Sequence, residues 1–410
     1  MIDVGRRVRP KATTRPRRHP VALSRSIAAL ATSLMLAGAA GAEGGAGATS
    51  RAVPDVAPSA APSASARNDS PFPQPRDTTG RFLNLEPDGE RGGLGVTLPF
   101  FLRRLVSSAT GRAAWATPVT PDRARLATAP VAGTLRITWV GHATFLAQMP
   151  AGNVLTDPIW AERASPFSFM GPHRMQAPGI PLADLPRIDA VVVSHNHYDH
   201  LDQHTLGAIA RRNPEAIFAV PLGNAPLLVE AGVAPNRIRE LGWGDRTIHH
   251  GLTLTALPVQ HWSQRWTGDR NEDLWASWAV SDGDRNFYFG GDTGTTEVFR
   301  AIGKHYGPFD LAALPIGAYS PRAMMRPFHM NPEEAAHAGR AVAARRMVGM
   351  HFATFDLSDE PPAEPPERFV AAAQKEGFAR GEAFVLRIGE TRDLSDPPAA
   401  DPSPSGRKAG

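Results

Sequence analysis

The sequence predicts one layered α/β domain of roughly 300 residues. Short apolar runs of strand length recur between polar loops, helix signals with clear ends lie among the later runs, and the chain shows no internal repeat. Strands come first along the chain, and strands mixed with helices follow. This order favours a sheet structure covered by helices.

Two kinds of strand are expected. Segments that alternate apolar and polar residues predict strands with one buried face, at 135–139, 145–148 and 154–157. A hairpin is predicted from 275–280 and 286–289, joined by Ser281-Asp282-Gly283-Asp284. Runs that are apolar throughout predict strands buried on both faces, at 190–193, 217–220, 311–316 and 347–350.

The helix signals are strongest in the second half of the chain. Asn331 is an N-cap candidate, followed by Pro332 at the first helical position and Glu334 at the third, and an Ala-rich stretch continues to about Ala344. A second helix is predicted over 366–376, ended by Gly377 and followed by a strand over 383–388.

Both ends of the chain have the composition of unfolded or targeting segments. Arginines precede an apolar stretch at 27–39, and Ala40-Gly41-Ala42 resembles a cleavage site. We therefore expect a signal peptide over 1–42, a disordered Ala/Pro/Ser-rich linker over 43–79, the folded domain over 80–392 and a disordered tail over 393–410. This organisation predicts an exported protein, periplasmic or secreted; the alternative is a basic tail on a cytosolic protein.

Composition limits the possible chemistry. The net charge of +4 comes from an Arg-rich N-terminus and does not favour a nucleic-acid partner. The sequence has no apolar run of about 18 residues, so a membrane-spanning helix is not expected. With no cysteine in the chain, any metal site must use histidine and carboxylate.

The sharpest motif is a cluster of metal-ligand residue types in one loop. Ser194-His195-Asn196-His197-Tyr198-Asp199-His200-Leu201-Asp202 directly follows the apolar run 190–193. His195 and His197, two residues apart on an extended segment, can bind one ion, while Asp199 and His200 can turn toward a second. The alternative, a polar loop of solvated histidines, does not account for such close spacing.

One loop supplies too few ligands for two ions. His261 follows the apolar strand 252–258, Asp292 lies in Gly290-Gly291-Asp292-Thr293-Gly294 after a predicted strand, and His351 follows 347–350. Each is a single ligand-type residue just past a buried strand, and we expect all three at the same site. Taken singly, each could be a core histidine or a turn aspartate.

The HxHxDH motif with the later His, Asp and His resembles the metallo-β-lactamase superfamily. Within it, longer runs resemble the phospholipases D that hydrolyse N-acylphosphatidylethanolamine, and the similarity covers roughly 77–392. The runs include Thr156-Asp157-Pro158-Ile159, Met170-Gly171-Pro172, Gln260-His261-Trp262, Gly291-Asp292-Thr293-Gly294, Pro315-Ile316-Gly317-Ala318-Tyr319 and Pro332-Glu333-Glu334-Ala335.

The resemblance implies an αββα sandwich with two zinc ions at one edge. The implied ligands are His195, His197 and His261 for the first ion, Asp199, His200 and His351 for the second, and Asp292 for both. A hydroxide bridging such a pair would attack phosphorus and release phosphatidic acid and an N-acylethanolamine. The implied catalytic residues are Asp199, Asp292 and His329.

Further residues are candidates for substrate contact. His329 could contact phosphate or donate a proton to the leaving oxygen, but a loop histidine without a role fits its position too. Arg322, Trp262 and Tyr319 are weaker candidates, because packing or a surface ion pair explains them equally well. His142 is expected to be structural or to support a ligand. The resemblance also implies a phospholipid or other amphiphilic phosphodiester partner, with possible peripheral membrane contact and a possible homodimer.

Other functions stay open at this point. A lactonase or ester hydrolase would use the same metal ions to cleave a carboxylic ester bond. A non-catalytic metal-binding protein would keep the ligands without turnover. A nuclease is disfavoured, because the sequence has no basic stripe. Zinc is preferred for these ligands, although iron or manganese also suits them. Phe352 and Ala353 stand where the phospholipase pattern has Trp and Gly, which changes the pocket beside His351.

Overall fold

The computed structural model describes residues 70–110 and 116–395. The predicted signal peptide lies outside the described residues, as do most of the predicted linker and tail. Both inner boundaries need correction. Phe72 is buried in the core, so the folded part begins before residue 80, and Leu394 is buried in the last strand, so it extends past residue 392.

The described residues form fourteen strands in two sheets. In chain order they are β1 Leu135–Gly141, β2 Thr144–Met149, β3 Gly152–Thr156, β4 Ala190–Val192, β5 Ile217–Pro221, β6 Ile238–Leu241, β7 Arg246–His249, β8 Leu252–Leu257, β9 Ser277–Ser281, β10 Asn286–Phe289, β11 Leu311–Pro315, β12 Met347–Met350, β13 Ala383–Phe384 and β14 Thr391–Leu394. The spatial orders are β14-β1-β2-β3-β4-β5-β6 and β13-β12-β11-β10-β9-β8-β7.

Helices lie between and after the strands. They are α1 Leu94–Thr110, α2 Arg123–Leu126, α3 Gln203–Arg212, α4 Ala225–Glu230, α5 Val298–Tyr306, α6 Arg322–Met325, α7 Pro332–Ala341 and α8 Glu364–Lys375, with short 3₁₀ turns at Leu182–Asp184 and Pro235–Arg237. Within the described ranges, none of the helices combines the length and apolar character that crossing a bilayer requires.

The two sheets face each other across one apolar core. Trp139 and Phe145 of the first sheet belong to the same buried cluster as Phe289 and Leu314 of the second. Trp278 of β9 ties the sheets together, because its indole N–H donates to the carbonyl of Val193, just past β4, at 3.0 Å. A second cluster lies between the first sheet and helices α3 and α4, whereas α7 and α8 pack near β11 and β13. The αββα sandwich is confirmed.

Several predicted elements appear with small changes of extent. Asn331 and Glu334 form the predicted capping box: Asn331 Oδ1 accepts from the Glu334 backbone N–H at 2.8 Å, and Glu334 Oε2 accepts from that of Asn331 at 2.9 Å. The helix ends at Ala341, before the expected Ala344. The strand predicted over 383–388 pairs only at Ala383–Phe384.

Candidate metal centre

The sheet topology brings the candidate side chains to one edge. β3, β4 and β5 run parallel to one another, as do β10, β11 and β12, so the carboxyl ends within each set point the same way. Loops at these ends carry Asp157 after β3, His195 after β4, Asp292 after β10 and His351 after β12. Ligand-type side chains therefore converge there from both sheets.

Three imidazoles form the first group. His195 Nε2 lies 2.8 Å from His197 Nδ1, and His261 Nε2 lies 3.4 Å from the same atom. The three residues together place one ring nitrogen each within 4.8 Å of the others. These nitrogens are close enough to bind a single ion.

Hydrogen bonds behind this group orient two of the rings. His261 Nδ1 lies 3.1 Å from the carbonyl oxygen of Phe328, which only accepts, so Nδ1 carries the proton and Nε2 keeps its lone pair for the cluster. His195 Nδ1 lies 2.9 Å from the hydroxyl of Ser194, and that hydroxyl donates to Asp157 at 2.6 Å. Such outer hydrogen bonds fix the tautomer that metal binding needs.

The second group consists of Asp199, His200 and His351. His200 Nε2 lies 3.1 Å from His351 Nε2 and 3.3 Å from Asp199 Oδ2, and His351 Nε2 lies 3.4 Å from the same carboxylate oxygen. His142 joins from the first hairpin, with Nε2 3.0 Å from Asp199 Oδ2. This set also lies within 4.8 Å.

Asp292 lies between the two groups. Its Oδ1 is 3.0 Å from His351 Nε2, and its Oδ2 is 3.3 Å from His200 Nε2 and 3.9 Å from His261 Nε2. It also shares a possible ion site with His195 and His200. One carboxylate is therefore within reach of both groups.

The pKa values show how charge is distributed in this buried cluster. Burial and neighbouring histidines hold the pKa of His195 well below its ordinary value. Burial is also the main reason that the pKa of His261 lies well below that value and that the pKa of His197 is lowered to about 3. Burial also acts on His351, but Asp292 and Asp199 outweigh it and raise that pKa to about 9. The first group stays neutral, whereas positive charge is favoured beside the two carboxylates.

These residues fit a metal ion. In the first group three neutral nitrogens face one another, and protons do not relieve that contact because the pKa values are low. His197 Nε2 is buried and makes no hydrogen bond with any described residue. Histidine and carboxylate are the donors expected for zinc in a chain without cysteine. The cluster therefore has the donor set, the tautomers and the electrostatics of a metal centre.

Comparison with known proteins identifies the family. Residues 152–352 match the model of the Beta-lactamase superfamily domain. The N-acyl-phosphatidylethanolamine-hydrolyzing phospholipase D 1 of Caenorhabditis elegans is 42% identical over 269 residues, which are 63% of this chain and 76% of the relative. This chain belongs to the metallo-β-lactamase superfamily.

Two further similarities agree with membership of this superfamily. A metal-dependent hydrolase of Methanopyrus kandleri is 29% identical over 263 residues, covering 63% of this chain and 99% of the relative. The crystal structure of an isothiocyanate hydrolase from Delia radicum gut bacteria matches with a TM-score of 0.50 at 22% identity, covering 63% and 99% of the two chains, which supports the fold. The chain is a metal-dependent hydrolase of the superfamily.

The candidate substrate residues occupy different places. His329 lies at the cluster, with Nδ1 3.8 Å from Asp292 Oδ2, and the Trp262 ring centre is 4.3 Å from that of His197. Arg322 instead donates to the His329 carbonyl at 2.8 Å and pairs with Glu334. The Tyr319 hydroxyl is bonded to Glu364 rather than to a cluster residue. The polar groups of Arg322 and Tyr319 thus make hydrogen bonds or ion pairs within the domain.

Sequence reasoning missed several residues that position the cluster. Asp157 accepts from Ser194 and lies 2.6 Å from His200 Nδ1. Arg265 donates to the carbonyls of Asn196 and Leu201, each at 2.9 Å, and so braces the histidine-rich loop. Two signals mark Asp157 in the sequence: it is the last residue of a predicted strand, and it lies in the run Thr156-Asp157-Pro158-Ile159. Nothing near Arg265 in the sequence marks its role.

Proposed function

We propose that this superfamily member is a dinuclear zinc phosphodiesterase of the phospholipase D type, acting on lipids like N-acylphosphatidylethanolamine. Water adds to phosphorus, the bond from phosphorus to the N-acylethanolamine oxygen breaks, and that oxygen takes a proton. The products are phosphatidic acid and an N-acylethanolamine. The observation that carries this proposal is the position of Asp292, within reach of both ligand groups.

The chain offers each zinc ion three side chains and one shared carboxylate. His195, His197 and His261 would hold one ion, Asp199, His200 and His351 the other, and Asp292 both. When bound, such ions supply Lewis acidity and lower the pKa of water, which suits hydrolysis at neutral pH. The specific substrate is supported by the Caenorhabditis elegans relative, whose name records this activity.

His329 is the side chain we assign to proton transfer. It enters from the loop before α7 and its ring lies 5.3 Å from that of His261 and 5.8 Å from that of His351, measured between centres. A histidine there can contact a phosphoryl oxygen or give its ring proton to the departing oxygen. Asp199 contributes by holding His142, His200 and His351 around one carboxylate.

Exposed apolar side chains of the domain support a lipid substrate. A small pocket beside the cluster is lined by His142 and His351 and by apolar side chains that include Met175, Phe352 and Leu357. On α1, Leu94, Leu98 and Leu102 are spaced four residues apart and are all exposed. One helix face therefore presents a row of leucines to the outside, which supports peripheral contact with a membrane.

Turnover and metal dependence test the proposal together. Zinc-loaded protein is incubated with bis(p-nitrophenyl)phosphate and, separately, with vesicles containing N-acylphosphatidylethanolamine. We expect both to be hydrolysed, and activity to disappear on chelation and in Asp292→Ala. Asp284→Ala removes an exposed carboxylate of the hairpin loop and serves as the matched control, with activity unchanged.

The alternative functions give different results. A lactonase or ester hydrolase would turn over a lactone panel and leave both phosphodiesters intact. A non-catalytic metal-binding protein would retain stoichiometric zinc, measured by mass spectrometry of the metal, and hydrolyse none of these substrates. Either result would contradict the phosphodiesterase assignment.

A further inference from the structure

Two arginines lie over a pair of aromatic rings next to the metal centre. The Arg270 guanidinium carbon is 4.3 Å from the centre of the Trp262 ring and 5.8 Å from that of Phe328. The Arg91 guanidinium carbon is 4.5 Å from the centre of Phe328 and 5.3 Å from that of Trp262. Both cations therefore share one aromatic platform.

This platform is attached directly to the metal ligands. The Trp262 ring packs edge-on against His197, with ring centres 4.3 Å apart, and Trp262 follows His261 in sequence. The Phe328 carbonyl accepts the hydrogen bond that orients His261, and Phe328 precedes His329. One ring thus separates the arginines from the ligand side chains.

The charge of Arg270 is only partly balanced by its described partner. Asp88 is the acidic residue nearest to Arg270 among the described ion pairs, at 3.8 Å, and it is also held by Asn84 at 2.7 Å. Arg270 Nη1 is buried and makes no hydrogen bond to another described residue. Burial, and next the positive charge of Arg91, lowers the pKa of Arg270 to about 10, so both groups remain cationic at neutral pH.

Two neighbouring guanidinium groups repel each other; Asp88 acts on both and offsets part of that repulsion, and a bound anion would offset more of it. Each guanidinium can donate two parallel hydrogen bonds to the oxygens of a phosphoryl group, and each also stacks on an aromatic ring. Arg91 is exposed and the Arg270 side chain is 29% exposed, so a ligand can reach both from solvent.

We propose that Arg91 and Arg270, supported by Trp262 and Phe328, form an anion subsite that binds phosphoryl oxygens of the substrate beside the metal centre. This inference rests on the proposed phosphodiesterase function and names the residues that select an anionic substrate. The subsite takes either the scissile phosphate or a second phosphate in the head group, since both present the same oxygens.

Equilibrium binding tests the subsite without turnover. Inorganic phosphate is titrated into zinc-loaded protein by calorimetry, with bound zinc measured for every variant. Arg270→Gln and Arg91→Gln should each weaken phosphate binding about tenfold, because each removes charge-assisted hydrogen bonds. Arg270→Lys should recover part of the loss, since the charge is kept and the planar fork is not.

A variant that should bind phosphate more tightly serves as a control, because misfolding would weaken phosphate binding. Asp88→Asn removes the negative charge beside Arg270 and should tighten phosphate binding about twofold to threefold. Arg392→Gln is the matched control: Arg392 lies 4.1 Å from the centre of the Phe384 ring and pairs with Glu390, on strand β14, which bears none of the cluster residues. Its phosphate affinity should equal that of the wild type.

Steady-state kinetics identify which phosphate occupies the subsite. A rise in KM of Arg270→Gln for bis(p-nitrophenyl)phosphate indicates the scissile phosphate. A rise confined to a diester that carries an additional phosphate monoester indicates a head-group phosphate, and both results support the subsite. Unchanged phosphate affinity and unchanged KM in both arginine variants would overturn it. Arginine-dependent phosphate binding without diester turnover would refute the proposed function and leave the subsite standing.

Discussion

The carboxylate of Asp157 lies 2.6 Å from Nδ1 of His200, and both side chains are completely buried. The same carboxylate accepts the hydroxyl proton of Ser194, whose oxygen contacts His195. One carboxylate therefore supports a histidine in each of the two ligand groups. Asp157 directly follows β3, and its backbone has a φ of +32°.

Replacing this carboxylate should weaken metal binding. In Asp157→Asn we expect zinc affinity to fall about 10- to 100-fold, because His200 loses the partner that fixes its ring and increases its basicity. Competition with a chromophoric chelator measures the affinity. Asp189→Asn alters another buried carboxylate, which accepts from the Asn153 backbone, and should retain normal zinc affinity. Equal zinc affinity in Asp157→Asn and the wild type would contradict this role.

Metal-free protein should be most stable near pH 6.5. Burial lowers the pKa of His142 to about 3 and that of His329 to about 4, from 6.5. Below pH 6.5 the unfolded chain binds protons that the folded chain does not, so stability falls toward these values. His351 acts in the opposite direction: with its pKa raised to about 9, its contribution is complete below pH 6.5 and is lost as pH rises to 9.

Calorimetry of chelator-treated protein between pH 4.5 and 9 checks this dependence, with each histidine contributing up to about 1.4 kcal/mol per pH unit. A Tm that stays level from pH 6.5 down to pH 4.5 would show that these rings are not held neutral by burial.

The capping box of α7 should affect catalysis as well as stability. Asn331→Ala removes the cap and should cost about 1 kcal/mol, and since Asn331 is two residues after His329 it should also lower kcat. Asp122→Ala removes the cap of α2 and is the control. Both variants should lose stability in urea, but only Asn331→Ala should lose turnover. An equal kcat in the two variants would show that the loop does not depend on the cap.

The leucine row on α1 should be needed for binding to lipid surfaces but not for hydrolysis of a soluble substrate. The triple substitution of Leu94, Leu98 and Leu102 by glutamine should reduce sedimentation with phospholipid vesicles at least several-fold, because each buried leucine contributes about 1.5–3 kcal/mol. Hydrolysis of bis(p-nitrophenyl)phosphate should be unchanged. Ile248→Gln and Val229→Gln alter exposed apolar residues elsewhere and provide the control. Normal vesicle binding by the triple variant would exclude α1 as the contact.

Much of the fold follows from local sequence pattern. The sequences of Met347–Met350 and Asn286–Phe289 show the apolar or alternating pattern that predicts a strand. β7 and β14 are short and polar, and they form because a neighbouring strand offers hydrogen bonds at the sheet edge. Helix α1 contains Pro99 and carries exposed leucines, so its pattern does not resemble a helix that packs on a core.

The metal-ligand candidates were also predictable, since histidines and carboxylates placed directly after buried strands must meet at a common edge. Residues that act through backbone or long-range contacts could not be predicted from the sequence. Strands β1 to β8 lie between Arg91 and Arg270 in the sequence. The two arginines meet over Trp262 only when the chain is folded. The predicted substrate role of Arg322 did not anticipate its pairing with Glu334, because an ion pair and a phosphate contact look alike in sequence.

Isotope transfer from water shows whether water attacks phosphorus during hydrolysis by this protein. Zinc-loaded protein is incubated with N-acylphosphatidylethanolamine vesicles in ¹⁸O-labelled water, and the products are analysed by mass spectrometry. We predict one ¹⁸O atom in the phosphate of phosphatidic acid and none in the N-acylethanolamine. Label in a released fatty acid, label in the N-acylethanolamine, or the absence of these products would contradict attack at phosphorus by this metal centre.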